Sequence, residues 1–502
     1  MSKKYIPLVS FLLGFGIFMF SRASRVIPFI IPGGIAMIIA PIFILRFIRT
    51  QPTKKGIWLT LLGFLLSANI ALFGLFEMET ELFTILYSLV YASMIAIIFC
   101  FPYVMDRLIY PKLEGKGLLS TLTFPIFATA TLFLVSLEGP FDGDAISAVY
   151  AFGTLNFKQI ASIVGLWGFV FIFSWLASVI NYGLENNFNW EKIKKVTVIF
   201  ASILLIIFLF GAIKTSSLIS PESDTVKIAA IILLPEEGEG VIAAEKLFAK
   251  DPYPYEKTMS KIDNLTKKAA SNNAKIVSSQ EVAIKINEKN ETKLINRIKK
   301  IAQENDIYFS FSYGVLPNEG KGWNKHILIN NQGEFEIDYR KRYLKGFGDF
   351  GEAAIYKKGP EIIQTADTPY GRIGVSICRD MEFSSYVMQA GQKEVDIMLN
   401  PSLDYPKSKG PNNSLRAIEN GFSLVRPVYN GYSYAIDYNG KILIHMDSDE
   451  TETGIMYADV PTKGVKTIYS TIGNLLGWLC VLGLFGCIAL RIIFPTRDRK
   501  KK

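Results

Sequence analysis

The chain has 502 residues, enough for about three domains at roughly 150 residues each. Half of its residues are hydrophobic and 13% are aromatic, while 20% are charged against roughly 25% in ordinary soluble proteins, which excludes a disordered, fibrous or disulfide-stapled chain. The net charge of +9 divides unevenly: residues 213–470 hold 33 basic and 34 acidic side chains, and the remainder holds 21 and 11, so the excess belongs to loops around apolar runs and nucleic acid is not an expected partner.

In chain order, apolar runs near 5–20, 26–47, 57–76, 83–104, 118–137, 159–180 and 196–212 each have the length that crosses a bilayer core, and one more lies near 472–493. The first follows Lys3 and Lys4, has no small-x-small cleavage pattern, and is read as a retained span. The second contains Pro28, Pro32 and Pro41 and predicts either a kinked or a re-entrant segment. Alternate loops carry Arg46, Arg49, Lys54 and Lys55, then Arg107, Lys112 and Lys116, then Lys192, Lys194 and Lys195, and finally Arg497, Arg499 and Lys500 to Lys502. The opposite loops carry Arg22 and Arg25, then the acidic stretch Glu77 to Glu81, then Glu138, Asp142 and Asp144 with Lys158. By the positive-inside rule this predicts a cell-membrane protein with both termini cytoplasmic and the insert between spans seven and eight extracytoplasmic. The expected organisation is a transmembrane domain at 1–212, a soluble domain at 213–470, and a final helix with a basic tail at 471–502.

Within the insert, Ala229–Leu234, Lys275–Val277, Tyr308–Tyr313, His326–Asn330, Phe335–Leu344, Arg372–Cys378, Asp396–Asn400, Pro427–Asp437 and Lys441–His445 read as strands. Helical periods lie at Met259/Ile262/Leu265, Leu294/Ile298/Ile301 and Leu415/Ile418, and Gln332-Gly333 and Asn439-Gly440 predict hairpin turns. The insert is therefore an α/β domain with its own core. No metal-ligand spacing or phosphate-cradling loop occurs, so no cofactor and no metal are expected.

Cys100, Cys480 and Cys487 fall in expected spans, which leaves Cys378 as the insert's single cysteine, either an inert small hydrophobe or a reactive thiol. It ends the buried-strand pattern Gly374-Val375-Ser376-Ile377 and is followed at once by Arg379-Asp380-Met381-Glu382, a junction that presents a nucleophile to a cleft. A thiol nucleophile needs a base. His326 and His445 sit on expected hairpin strands away from such loops, so a Cys-His protease is poorly supplied, and the other candidates are a carboxylate as base and a lysine as fixed cation, expected together to lower the thiol's pKa.

Three stretches resemble the nitrilase or carbon–nitrogen hydrolase superfamily: Ile276 to Glu281, Tyr339 to Leu344 with Lys341, and Gly374 to Cys378. A fourth, Arg416-Ala417-Ile418-Glu419-Asn420-Gly421 with Arg426-Pro427 and Asn430 to Ser433, looks like that family's late helix and hairpin. Gln159 to Gly168, Trp323-Asn324, Phe347-Gly348-Asp349 and Thr467 to Gly473 extend the likeness, over nearly the whole chain, to the apolipoprotein N-acyltransferases. The resemblance implies an αββα sandwich and a Glu281–Lys341–Cys378 triad. It also implies acyl transfer from a phospholipid, through a Cys378 thioester, to the N-terminal amine of a lipid-modified lipoprotein. In that reading Lys341 and the amide of Arg379 hold the oxyanion, and Asp349 or Asp380 orients Lys341 or assists the amine. A membrane-tethered amidase, and an inactive partner-binding protein, are the alternative expectations.

The chain departs from the family pattern at Ser279-Gln280 (usually Trp-Pro), at Gly346 (usually Pro), at Arg379-Asp380 after the cysteine (usually Tyr-Glu) and at Asn412-Asn413 (usually Gln-His). Asp349 and Asp380 are each one methylene shorter than the usual glutamate, Glu352 could substitute for Asp349, and Arg379 adds a cation beside the thiol.

Overall fold

The computed structural model describes residues 5–21, 32–73, 81–137, 143–148, 151–216, 223–234, 251–346, 351–404 and 413–493. Asp349, Asn412, Lys3, Lys4, Arg22, Arg25, Pro28, Glu77, Glu138, Asp142, Arg497, Arg499 and Lys500 to Lys502 lie outside the described residues.

Among the described residues, eight apolar helices form the membrane unit: α1 (Ile6–Met19), α2 (Gly33–Thr50), α3 (Thr53–Leu72), α4 (Glu81–Leu113), α5 (Thr123–Leu137), α6 (Leu166–Glu185), α7 (Trp190–Lys214) and α12 (Leu475–Ile493). Seven of these, counting Leu118–Leu137 as one, are long and apolar enough to span a bilayer, and α1 is a shorter apolar helix packed on α2. The described part of the proline-bearing second segment is helical, with Pro32 at its N-cap and Pro41 inside. The sixth starts later than its hydropathy suggests, because Leu155–Lys158 and Ala161–Val164 form short turns that end at Gly165, φ +64°. Exposed apolar side chains such as Leu86, Ile97, Ile206 and Leu482 cover the outside, the arrangement lipid requires.

Three helices bring their C-terminal ends together at one rim. There Arg49 of α2 forms a two-pronged pair with Asp106 of α4 at 2.9 Å and reaches Glu185 of α6 at 3.4 Å. Lys112 donates to the Leu490 carbonyl near the end of α12 at 3.3 Å, which places that end at the same rim. The opposite ends of α6 and α12 carry the soluble domain.

That domain contains strands β1 (Thr225–Ile231), β2 (Ile276–Ser279), β3 (Ile284–Asn287), β4 (Tyr308–Leu316), β5 (Trp323–Ile329), β6 (Phe335–Arg340), β7 (Thr365–Thr368) and β8 (Gly371–Val375). They are followed by β9 (Ile397–Leu399), β10 (Ser402–Leu403), β11 (Ser423–Arg426), β12 (Val428–Tyr429), β13 (Tyr432–Ile436), β14 (Ile442–Asp447) and β15 (Ile455–Pro461). One sheet runs β15-β1-β2-β4-β5-β6 with β3 beside β4; the other runs β14-β13-β11-β9-β8-β7. Their facing surfaces, including Ile228, Ile276, Leu328 and Tyr339 against Ile373, Val375, Leu399 and Val425, make one apolar layer. Helices α8 (Tyr255–Ser271) and α9 (Glu291–Glu304) cover the first sheet, and α10 (Ser384–Gln392) and α11 (Ser414–Asn420) cover the second. The result is an αββα sandwich joined to a multi-pass helical membrane unit.

The helical periods at Met259, Leu294 and Leu415 fall on α8, α9 and α11, and both hairpins form, with Gly333 at φ +81° and Gly440 at φ +78°. The expected strand Pro427–Asp437 is instead two, β12 and β13, because Asn430 takes φ +55° and turns the chain between them. Leu415 and Ile418 of α11 also join the apolar core of the membrane unit, so the layer over the second sheet is the one that meets the bundle.

Candidate active site

Glu281 follows β2, Lys341 follows β6, and Cys378 follows β8 and opens a 3-10 turn running to Glu382. Strand ends are where a rigid sheet can aim a side chain into a shared cavity. Lys341 and Glu281 are each 2% exposed, and the Lys341 Nζ donates to Glu281 Oε1 at 2.7 Å and to both oxygens of Glu352 at 2.6 and 2.8 Å. Asn324 Nδ2 donates to the same Glu281 oxygen at 2.8 Å, and the Leu403 amide donates to the other at 2.9 Å. The Cys378 Sγ faces the Leu403 carbonyl at 3.8 Å, so one residue touches both the carboxylate and the sulfur.

Cys378 adopts φ +45°, a left-handed conformation costly for a residue with a Cβ. Its amide donates to the Pro401 carbonyl at 2.8 Å. Asp380 clamps the turn: it accepts from the Ile377 amide at 3.0 Å, the Tyr343 amide at 2.8 Å and the Tyr339 hydroxyl at 2.6 Å. None of its hydrogen bonds among the described residues goes to Lys341. The carboxylate held against Lys341 besides Glu281 is Glu352, which also accepts from the Lys345 amide at 2.8 Å.

The electrostatics overturn one expectation. Burial, and then the charge of Glu281, push the Cys378 thiol up to about 12, although Lys341 and Arg426 oppose that shift. Desolvation outweighs the two cations, so the resting group is a thiol. Burial also lifts Glu281 to about 7 against the pull of Lys341, while Lys341 itself is raised by Glu281 and Glu352 despite its burial. Asp380 is lifted to about 6 by burial.

The cation against the nucleophile's backbone is Arg426, which donates to the Cys378 carbonyl at 3.4 Å and to Ser402 Oγ at 2.6 Å, and is paired with Asp404 at 3.2 Å. Arg379 turns its guanidinium to the Leu344 carbonyl at 2.7 Å and lies 3.6 Å from Glu382. Arg426 stands in the sequence as a family landmark, but nothing near it in the chain announces a neighbour 48 positions earlier. His326 is fully buried beside Ser310 Oγ at 2.6 Å and is pushed down to about 3 by burial, so it stays neutral. No cluster of metal-ligating side chains occurs among the described residues.

Residues 251–469 match the family model for carbon-nitrogen hydrolases. The matched residues take in most of the αββα sandwich, which resembles that family's domain. Relatives include a deaminated glutathione amidase of Dictyostelium discoideum, 28% identical over 206 residues, 36% of this chain and 69% of that protein. The mouse deaminated glutathione amidase is 29% identical over 121 residues, and the chain covers 37% of that protein's length. An apolipoprotein N-acyltransferase of Haemophilus ducreyi is 23% identical over 376 residues, 68% of this chain and 70% of that one, a match longer than the αββα sandwich alone. Among solved structures, an amidase from Nesterenkonia sp. covers 49% of this chain and 95% of its own, with 18% identity and a TM-score of 0.39.

Proposed function

We propose that this protein is a membrane acyltransferase that moves a fatty acyl chain from a phospholipid to the N-terminal amine of a lipid-modified lipoprotein, with Cys378 as the intermediate carrier. The reading is carried by one observation: a buried Glu281–Lys341 pair and a strained cysteine share Leu403, on a hydrolase domain seated on a bundle of apolar helices. The N-acyltransferase relative supports it by matching across both units.

In the first half-reaction Glu281 takes the Sγ proton as the sulfur attacks the ester carbonyl, and the C–S bond forms. The Lys341 ammonium and the Arg379 amide hold the resulting oxyanion. Collapse expels the lysophospholipid alkoxide, which takes the proton from Glu281. In the second, the amine attacks the thioester, Glu281 receives an amine proton and returns it to the departing sulfur. Glu352 keeps Lys341 charged and in place throughout. With the hydrolase domain extracytoplasmic, the rim that carries Arg49 and Lys112 is cytoplasmic, as the basic loops favour.

Intact-mass spectrometry of the full chain after incubation with phospholipid vesicles tests the first step. The expected result is a fatty-acyl increment on Cys378, lost in Cys378→Ser, and its discharge to a triacylated product when a diacylated lipopeptide is added. Discharge to free fatty acid alone would favour the hydrolytic reading that the amidase relatives suggest. Unchanged turnover in Cys378→Ala would end the catalytic reading.

A further inference from the structure

The nucleophile's turn is gripped from the membrane unit. Asp144, in the segment between α5 and α6, donates its amide to the Glu382 carbonyl at 2.7 Å, and its Oδ2 accepts from the Ser384 amide at 3.2 Å, the first residue of α10. Gly143 makes this approach possible: at φ +62°, a Cβ there would meet the Glu382 oxygen at 2.5 Å. The same Asp144 Oδ2 accepts from Arg416 Nη2 at 2.8 Å, and Arg416 also pairs with Glu419 one turn along α11. Glu419 Oε1 in turn accepts from the Leu166 amide, the first residue of α6, at 2.8 Å. A neighbouring link runs from the start of α12, where Asn474 Oδ1 accepts from Trp167 Nε1 at 3.0 Å and from the Tyr469 hydroxyl at 2.7 Å.

Asp144, Arg416 and Glu419 are each at most 4% exposed, in a junction whose surroundings include the apolar Leu415, Ile418 and Leu166. Apolar contact alone is non-directional and would let the two units slide, whereas a buried ion network has one satisfied arrangement. Removing water from three charges is expensive, and the directional contacts made in return reach Glu382 and Ser384, just after Cys378, and the first turn of α6.

We infer that Asp144, Arg416 and Glu419 are positioning residues that fix the height and tilt of the Cys378 turn over the apolar bundle, so that the sulfur meets a carbonyl presented by a bilayer lipid. The inference rests on the acyltransferase reading and adds to it how the bilayer-borne donor is met. A small water-soluble electrophile finds the sulfur at any tilt and is indifferent to the network.

The test uses the full chain in proteoliposomes and two rates per variant: acylation of Cys378 by vesicle phospholipid and alkylation of Cys378 by iodoacetamide. For Asp144→Asn the expected outcome is a loss of lipid acylation on the order of 10²-fold, the effect of a displacement near 1 Å, with alkylation within about twofold of wild type and partial recovery in Asp144→Glu. Glu419→Gln, which keeps shape and hydrogen-bonding capacity, gives a second reading should Asp144→Asn not fold. Equal slowing of both rates, or no change in either, overturns the inference. Absence of acylation in the wild type would instead sink the acyltransferase reading and is seen in the control arm.

Discussion

Replacing Lys341 with methionine isolates the electrostatic core of the site. The side chain keeps most of its length, but two carboxylates, Glu281 at 2% and Glu352 at 8% exposure, lose the ammonium that lies within 2.8 Å of both. Removing one partner of a buried ion pair costs about 3–5 kcal/mol. In a domain of this size 1 kcal/mol moves the midpoint by roughly 2–4 °C, so a fall of roughly 6–20 °C is expected at pH 8. The cost depends on pH in a defined direction. Without the cation, both native carboxyls hold their protons above the ordinary value of 4.5 from which Glu281 is already raised to about 7. Below that ordinary value both states are protonated and the penalty is small; as pH rises the unfolded chain ionises first, and the penalty grows until the native carboxyls also ionise. Thermal unfolding of the full chain in detergent at pH 5 and pH 8 reads this directly. A shift that is the same at both pH values, or smaller at pH 8, would refute the reasoning.

Two further outcomes follow from the same geometry. Because Cys378 sits at φ +45°, Cys378→Gly is expected to be more stable than Cys378→Ala by about 1 kcal/mol, reversing the usual penalty for glycine, in denaturant titrations of the two variants. With Glu281 lifted to about 7 and acting as the base, the rate of Cys378 acylation is expected to climb with pH through about 7 and then level, and Glu281→Gln is expected to remove that rise together with most of the activity, in pre-steady-state acylation across pH 5–9.

The hydrolase likeness was legible because the chemistry sits at strand ends, where short motifs survive: Glu281, Lys341 and Cys378 all occupy such positions. The membrane helices were legible because each apolar run declares its own length. What stayed hidden depends on distance along the chain or on burial. The contacts of Arg426 with Cys378, and of Asp144 with Arg416 272 positions later, leave no periodic trace. The elevated thiol could not be read from charge alone, since neighbouring cations are visible in a sequence and the loss of water around them is not. Asp380 resembles an accessory acid by position, yet its hydrogen bonds tie the start of the nucleophile's turn, at Ile377, to Tyr339 and Tyr343 on either side of Lys341. Helix α10 has too few apolar residues in nine positions to declare itself, and the expected strands stopped short of β15, whose role is fixed only by pairing with β1.

That last pairing has a bearing on how the protein is made. β1 and β15 lie side by side from Thr225↔Pro461 to Ile231↔Ile455, so the first and last described strands of the sandwich are neighbours. The sheet therefore cannot close on the ribosome until nearly everything before α12 has been synthesised, and its long-range registry forms late. Entry and exit share one doorway, so the whole module hangs between α7 and α12 as a cassette.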